Sequence, residues 1–186
     1  MPSARRHIRP LAVIGVMAGA LLLAPTASAG PKCAGASAKA KEASTGKLLR
    51  STLCLLNAER RKHGLRRLRL SKRLSKAARK HSRDMVRRDY FSHTSLSGAS
   101  FVDRIKRTGY LSGAQSWMVG ENLAWGAGSR SSPAQTVSAW MHSPGHRHNI
   151  LTGRYVHIGI GIVQGAPTSV GGMAAATYTT DFGFKS

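Results

Sequence analysis

Residues 47–64, KLLRSTLCLLNAERRKHG, set Leu49, Leu53 and Leu56 at helical spacing with Leu48 and Leu55 beside them, which predicts a helix with one apolar stripe closed by Gly64. A second stripe follows. Ser71 suits an N-cap, and Leu74, Ala77, Ala78, His81 and Met85 recur at steps that place all five on one buried face. A histidine so placed is expected to be a hydrogen-bonded core residue. The stretch YFSHTSLSG breaks to a turn, and GASFVDRIKRTGY predicts a third helix ended by Gly109. VGENLAWG reads as a short extended segment. In SSPAQTVSAWMHS, Ser132 is a cap, Pro133 takes the first helical position, and Val137, Trp140 and Met141 share a side. Pro144 and Gly145 are expected to end that helix. The tail changes period: YVHIGIGIVQG and AAATYTTDFGF read as strands joined through GAPTSVGG as a hairpin. Helices early and antiparallel strands late give an α+β class with no internal repeat.

Ahead of these elements, MPSARRHIRP carries Arg5, Arg6 and Arg9, the apolar run LAVIGVMAGALLL follows, and Ala27-Ser28-Ala29 offers small residues for cleavage. Residues 1–29 therefore read as a secretory signal peptide, 30–46 as a flexible leader and 47–186 as the domain. The competing reading of the first segment is an uncleaved anchor, but its apolar run is short for a span of ~20 residues and no later segment is apolar enough to cross. The expected location is secreted and extracellular, without a transmembrane anchor. In that oxidising setting Cys33 and Cys54 can pair in one way, tying the leader to the first helix; two free thiols are the alternative.

Charge changes the picture more than composition does. The chain holds 29 Lys and Arg against 7 Asp and Glu, a formal net charge of +22. Much of it lies in ERRKHGLRRLRLSKRLSKAARKHSRDMVRR, Glu59 to Arg88. Such a face predicts adhesion to anionic cell-envelope polymers or lipids, with a plain solvated surface as the bland alternative. The run contains no groove-reading helix, ribonucleoprotein motif or aromatic stacking platform, so specific nucleic-acid recognition is not expected.

Candidate chemistry centres on WMHSPGHRHNI. His142 and His146 have the i, i+4 spacing of helical zinc sites, but Pro144 lies between them and prevents a shared helical face. His146, after the turn, can be aimed into a cavity, whereas His142 and His148 read as solvent-facing or capping. Glu121 sits between Gly120 and Asn122 in an otherwise apolar segment, a costly place for a carboxylate without a partner. His93, in FSHTS, is fixed in a turn beside Phe91. Two histidines and one carboxylate, His93, His146 and Glu121, suit zinc or another divalent cation.

In order along the chain, LLNAERRKHGL, AARKHSRDM, FSHTSLSG, GENLAWG, WMHSPGHRHNIL, IGIGI and YTTDFG resemble the bacterial branch of the CAP superfamily, also called the SCP domain. The resemblance covers about residues 47–184. It implies a three-layer α-β-α sandwich with a central antiparallel sheet and a cleft. It also implies a metal-capable cleft of two histidines and two acids, with His93 and His146 as the histidines and Glu121 as the first acid. The second acid departs from the pattern: Ser143 stands three residues after Trp140, where relatives carry glutamate.

The function so implied is a secreted, non-enzymatic binding module with a metal-capable cleft and a basic face for envelope polymers. A small apolar ligand is a further candidate partner, and the chain is expected to be a monomer. The alternative is a metal-dependent extracellular hydrolase acting on peptide or cell-wall substrates.

Overall fold

The isoleucines of IGIGI and the glycines between them decide the architecture. The computed structural model describes residues 33–186; the signal-peptide reading of residues 1–29 falls outside them. In strand β3 (His157–Gln164), Ile158, Ile160 and Ile162 are buried on one face of the sheet. The opposite face is occupied at Gly159 and Gly161 by helix α2 (Lys72–Arg87): a Cβ on either glycine would run into the helix backbone, at Leu74 and Ser75 for the first and Ala78 and Arg79 for the second. Backbone can approach backbone this closely because these positions lack side chains. Two polar contacts complete the seam, Ser82 Oγ donating to the Gly161 carbonyl at 3.1 Å and pairing with Thr179 Oγ1 at 2.8 Å.

The sheet has four strands in the order β1-β3-β4-β2, where β1 is Arg69–Leu70, β2 is Trp117–Ala127 and β4 is Ala175–Lys185. The pairs β3/β4 and β2/β4 are antiparallel as expected. The short β1 runs parallel to β3, with Arg69 opposite His157, so one edge departs from the antiparallel expectation. The β3–β4 connection is the expected hairpin. The segment around GENL is far longer than a short extended piece: β2 runs 11 residues in register with β4.

Helix α1 (Thr45–Lys62) packs on the isoleucine face together with α4 (Pro133–His142) and α5 (Pro144–Leu151), so helices cover both sides of the sheet. The buried side of α1 is rotated from the expected leucine stripe. Leu48 and Leu56 are buried, but they share that face with Thr52, Asn57 and Arg60, while Leu49, Leu53 and Leu55 are only partly covered. Arg60 explains the rotation. Its guanidinium is fully buried and donates to the carbonyls of Arg66, Ile150, Thr152 and Tyr155 at 2.7–3.2 Å, joining α1 to the end of α5 and the approach to β3. Burial lowers its pKa, and the carbonyls supply in dipoles what a carboxylate would supply in charge.

Two further expectations change. The described part of the leader, 33–46, is held rather than flexible: Cys33 and Cys54 form a disulfide, the Ala40 amide donates to Ser131 Oγ at 2.9 Å, and Ala40 is buried. A bridge closing a loop of this length contributes about 3 kcal/mol. Pro144 and Gly145 do end α4, but they also begin α5. Ser143 alone, in extended conformation, separates the helices, since proline stops one helix and suits the first turn of the next. His146 therefore lies on a second helix. The N-cap of α2 at Ser71 matches the sequence pattern; α3 (Phe101–Lys106) opens with a capping box, Ser100 with Asp103, that sequence reasoning missed.

Candidate functional site

The residues GENL of β2 each answer to a different neighbour. Gly120 has no room for a Cβ, because the Asn149 amide and the Tyr155 hydroxyl lie over it. Asn122 Nδ2 donates to the His146 carbonyl at 3.1 Å, and Asn149 Nδ2 donates to the Glu121 carbonyl and to Asn122 Oδ1. These bonds fasten α5 onto β2. Leu123 is buried, and its carbonyl accepts from Trp140 Nε1 at 2.9 Å, which seats α4.

Glu121 points to the face that carries α2. Its side chain is 1% exposed, and both carboxylate oxygens are engaged: His93 Nδ1 donates to Oε1 at 2.8 Å and Arg104 Nη2 donates to Oε2 at 2.6 Å. Arg104, on α3, also donates to the carbonyls of His93 and Ala99 and to Ser95 Oγ at 2.9–3.1 Å. One guanidinium thus holds both the carboxylate and the loop that presents His93. The His93 side chain itself is 54% exposed.

Asp181 on β4 is the register partner of Glu121 and completes the group. Full burial pushes its carboxyl well above the usual range; the negative charge of Glu121 adds to the shift and Arg104 opposes it. One of its oxygens, Oδ1, has no hydrogen-bond partner. Two carboxyls side by side, one paired with a guanidinium and one held toward its neutral form, are electrostatically compatible where two anions would not be.

His81 is buried on α2 as expected, with Nε2 donating to the Ser92 carbonyl at 2.8 Å; burial is the main reason its pKa is lowered. His142 and His148 are exposed, and His142 Nδ1 donates to the Ser138 carbonyl in the last turn of α4. His146 is partly buried, its pKa lowered first by burial and then by His93, and its Nδ1 is buried without a partner.

The expected metal set is therefore assembled only in part. His93 touches Glu121, and His146 lies within electrostatic reach of His93, but Glu121 is already saturated by Arg104 and His93. Among the described residues no three His, Cys, Asp or Glu side chains converge as a metal cluster. As arranged, Glu121 orients the His93 imidazole, and both of its oxygens already accept a hydrogen bond. No acid stands at Ser143 to add a ligand. Sequence reasoning missed Arg104 and Asp181. The signal for Asp181 was present, a lone acid inside an otherwise apolar and threonine-bearing strand; Arg104 carried none, being one cation among 29 Lys and Arg.

Beside this cluster runs a groove of about 630 Å³ between α2 and residues 95–108, walled chiefly by lysine and arginine. Arg104 is among its lining residues.

Helices on both faces of a β1-β3-β4-β2 sheet, with a histidine–glutamate pair at its β2 edge, define a domain of the CAP or SCP type. The sequence agrees: the profile of the cysteine-rich secretory protein family, CAP, matches residues 53–180, and the chain belongs to that family. YkwD of Bacillus subtilis (strain 168) is 43% identical over 110 residues, 59% of this chain and 40% of that protein. The B. subtilis membrane protein YlbC is 37% identical over 110 residues, covering 59% of this chain and 30% of YlbC. The chain thus spans less than half the length of these curated relatives. An extracellular SCP-domain protein of Bacillus anthracis superposes with a TM-score of 0.58 at 27% identity, over 75% of this chain and 43% of that one. An outer surface protein of Borrelia burgdorferi shares the fold, with a TM-score of 0.62 at 21% identity over 77% of this chain and 97% of that one. No described helix is long and apolar enough to cross a membrane.

Proposed function

We propose that the protein is a secreted, non-enzymatic binding module that attaches to anionic polymers of a cell envelope through its basic α2 face. One contrast carries this reading: the carboxylate of Glu121 is buried and committed on both oxygens, whereas five cations along the neighbouring groove, Lys76, Lys80, Arg83, Arg87 and Arg107, join no ion pair among the described residues. A general base must reach a proton on its substrate, and neither Glu121 nor the fully buried Asp181 is presented to solvent. Its likeness to a protein described as extracellular supports the location. The test is to sediment the disulfide-bonded protein with isolated envelopes over a salt series while monitoring release of soluble peptide or sugar. Salt-reversible attachment without product is expected. Product release that stops in Glu121→Gln would replace this reading with a hydrolase.

A second reading, a divalent-cation site, is favoured by the unpartnered buried Nδ1 of His146 next to His93. Its donors would be His93 and His146, with Glu121 holding the His93 ring and water filling the remaining positions. Zinc or a similar ion bound there would bridge the loop that carries His93 to α5.

A further inference from the structure

Lys76, Lys80, Arg83 and Arg87 stand on α2 at steps of four, three and four residues, so they form one stripe of the helix, and all four are exposed. With Arg107 from beyond α3 they line the groove. Among the described residues none of these five side chains joins an ion pair; those pairs involve Lys39, Lys62, Arg88, His93 and Arg104. The one carboxylate in the groove wall, Asp84, is occupied by the Tyr90 hydroxyl and by Arg88. The result is a linear row of free cations in a trough.

We infer that this trough binds a phosphodiester chain with short polyol spacers, of the poly(glycerol phosphate) kind. The inference rests on the anion-binding reading above and names its ligand class. At a rise of 1.5 Å per residue, successive cations of the stripe lie roughly 4.5–6 Å apart along the helix axis. A phosphodiester chain with a three-carbon spacer repeats its charge about every 6–7 Å, given bond lengths near 1.5 Å. Long, mobile lysine and arginine tips absorb the difference, and Arg83, Arg87 and Arg107 can each grip phosphate with two N–H groups, which a point charge cannot. A membrane surface is flat and cannot enter a trough. Single-stranded nucleic acid has a similar charge spacing, but it is held by stacking on aromatic rings, and no Phe, Tyr or Trp lines this groove.

The experiment is equilibrium binding of the disulfide-bonded protein to a synthetic glycerol phosphate oligomer, with polyglutamate and a DNA oligonucleotide of equal charge, and phosphatidylglycerol vesicles, as competitors. Two variants accompany it: Lys80→Glu with Arg87→Glu in the groove, and Lys41→Glu with Arg66→Glu, exposed and outside it. The glycerol phosphate chain should bind roughly tenfold tighter than the rest, with a log–log salt slope of about −3 for four contacts. The groove variant should lose roughly tenfold or more and the control pair much less. Equal affinity for all four anions would overturn the ligand class and leave the anion-binding module standing. Preference for the oligonucleotide or the vesicles would reassign the groove to them. Unchanged binding in the groove variant would place the ligand elsewhere, and no binding to any of the four would sink both readings.

Discussion

Arg104 Nη2 meets Glu121 Oε2 at 2.6 Å, and the two side chains are 9% and 1% exposed. This buried pair joins α3 to the middle of β2, and through the other guanidinium nitrogen it fixes the loop that offers His93.

Removing one partner alone leaves a buried charge uncompensated. Arg104→Met is expected to cost about 3–5 kcal/mol, while the double change Arg104→Met with Glu121→Gln should recover a large part of that loss. Urea unfolding of both variants and of Glu121→Gln closes the cycle. A double-variant loss equal to the sum of the two single losses would show that the pair does not couple.

Asp181 contributes a pH dependence of opposite sense to an ordinary salt-bridged acid. Its carboxyl is raised well above its ordinary value of 3.8, chiefly by burial, so between 3.8 and its folded value the native state binds more protons than the unfolded state. Stability linked to this group is therefore greatest below about 3.8 and falls as pH rises toward the folded value. Asp181→Asn keeps the shape and cannot ionise. Its stability relative to the parent should match near pH 4 and improve as pH rises toward the folded value; a pH-independent difference would refute the assignment.

Gly161 touches the α2 backbone, so Gly161→Ala must push helix from sheet. A loss of about 1–3 kcal/mol or more is expected, against about 1 kcal/mol for Ile160→Val on the other face of the same strand. Thermal unfolding of the two variants ranks them, and a milder effect for the alanine would contradict the close approach.

Zinc calorimetry at neutral pH separates ligand from orienting partner in the cation reading. One-to-one binding should vanish in His93→Ala and in His146→Ala, survive in His142→Ala, and weaken roughly 10–100-fold in Glu121→Gln. Loss in all four variants alike, or no binding by the parent, would rule the site out.

The α2 face, the β3–β4 hairpin and the Cys33–Cys54 pairing were legible because each depends on neighbours in sequence or on a count of two. So were His93 and Glu121 as residues with a purpose, since a turn histidine and a carboxylate in an apolar segment both demand partners. Long-range geometry chose those partners. Strand register set Asp181 opposite Glu121 and held it toward its neutral form, and α3 packing delivered Arg104 to an oxygen that sequence reasoning had reserved for a metal. The leucine pattern of α1 likewise misplaced the buried face, because hydrophobicity says nothing of four carbonyls waiting for Arg60. Local periodicity determines which elements form; the satisfaction of buried charge is a property of contacts 17 to 95 residues apart, and only the tertiary structure decides it.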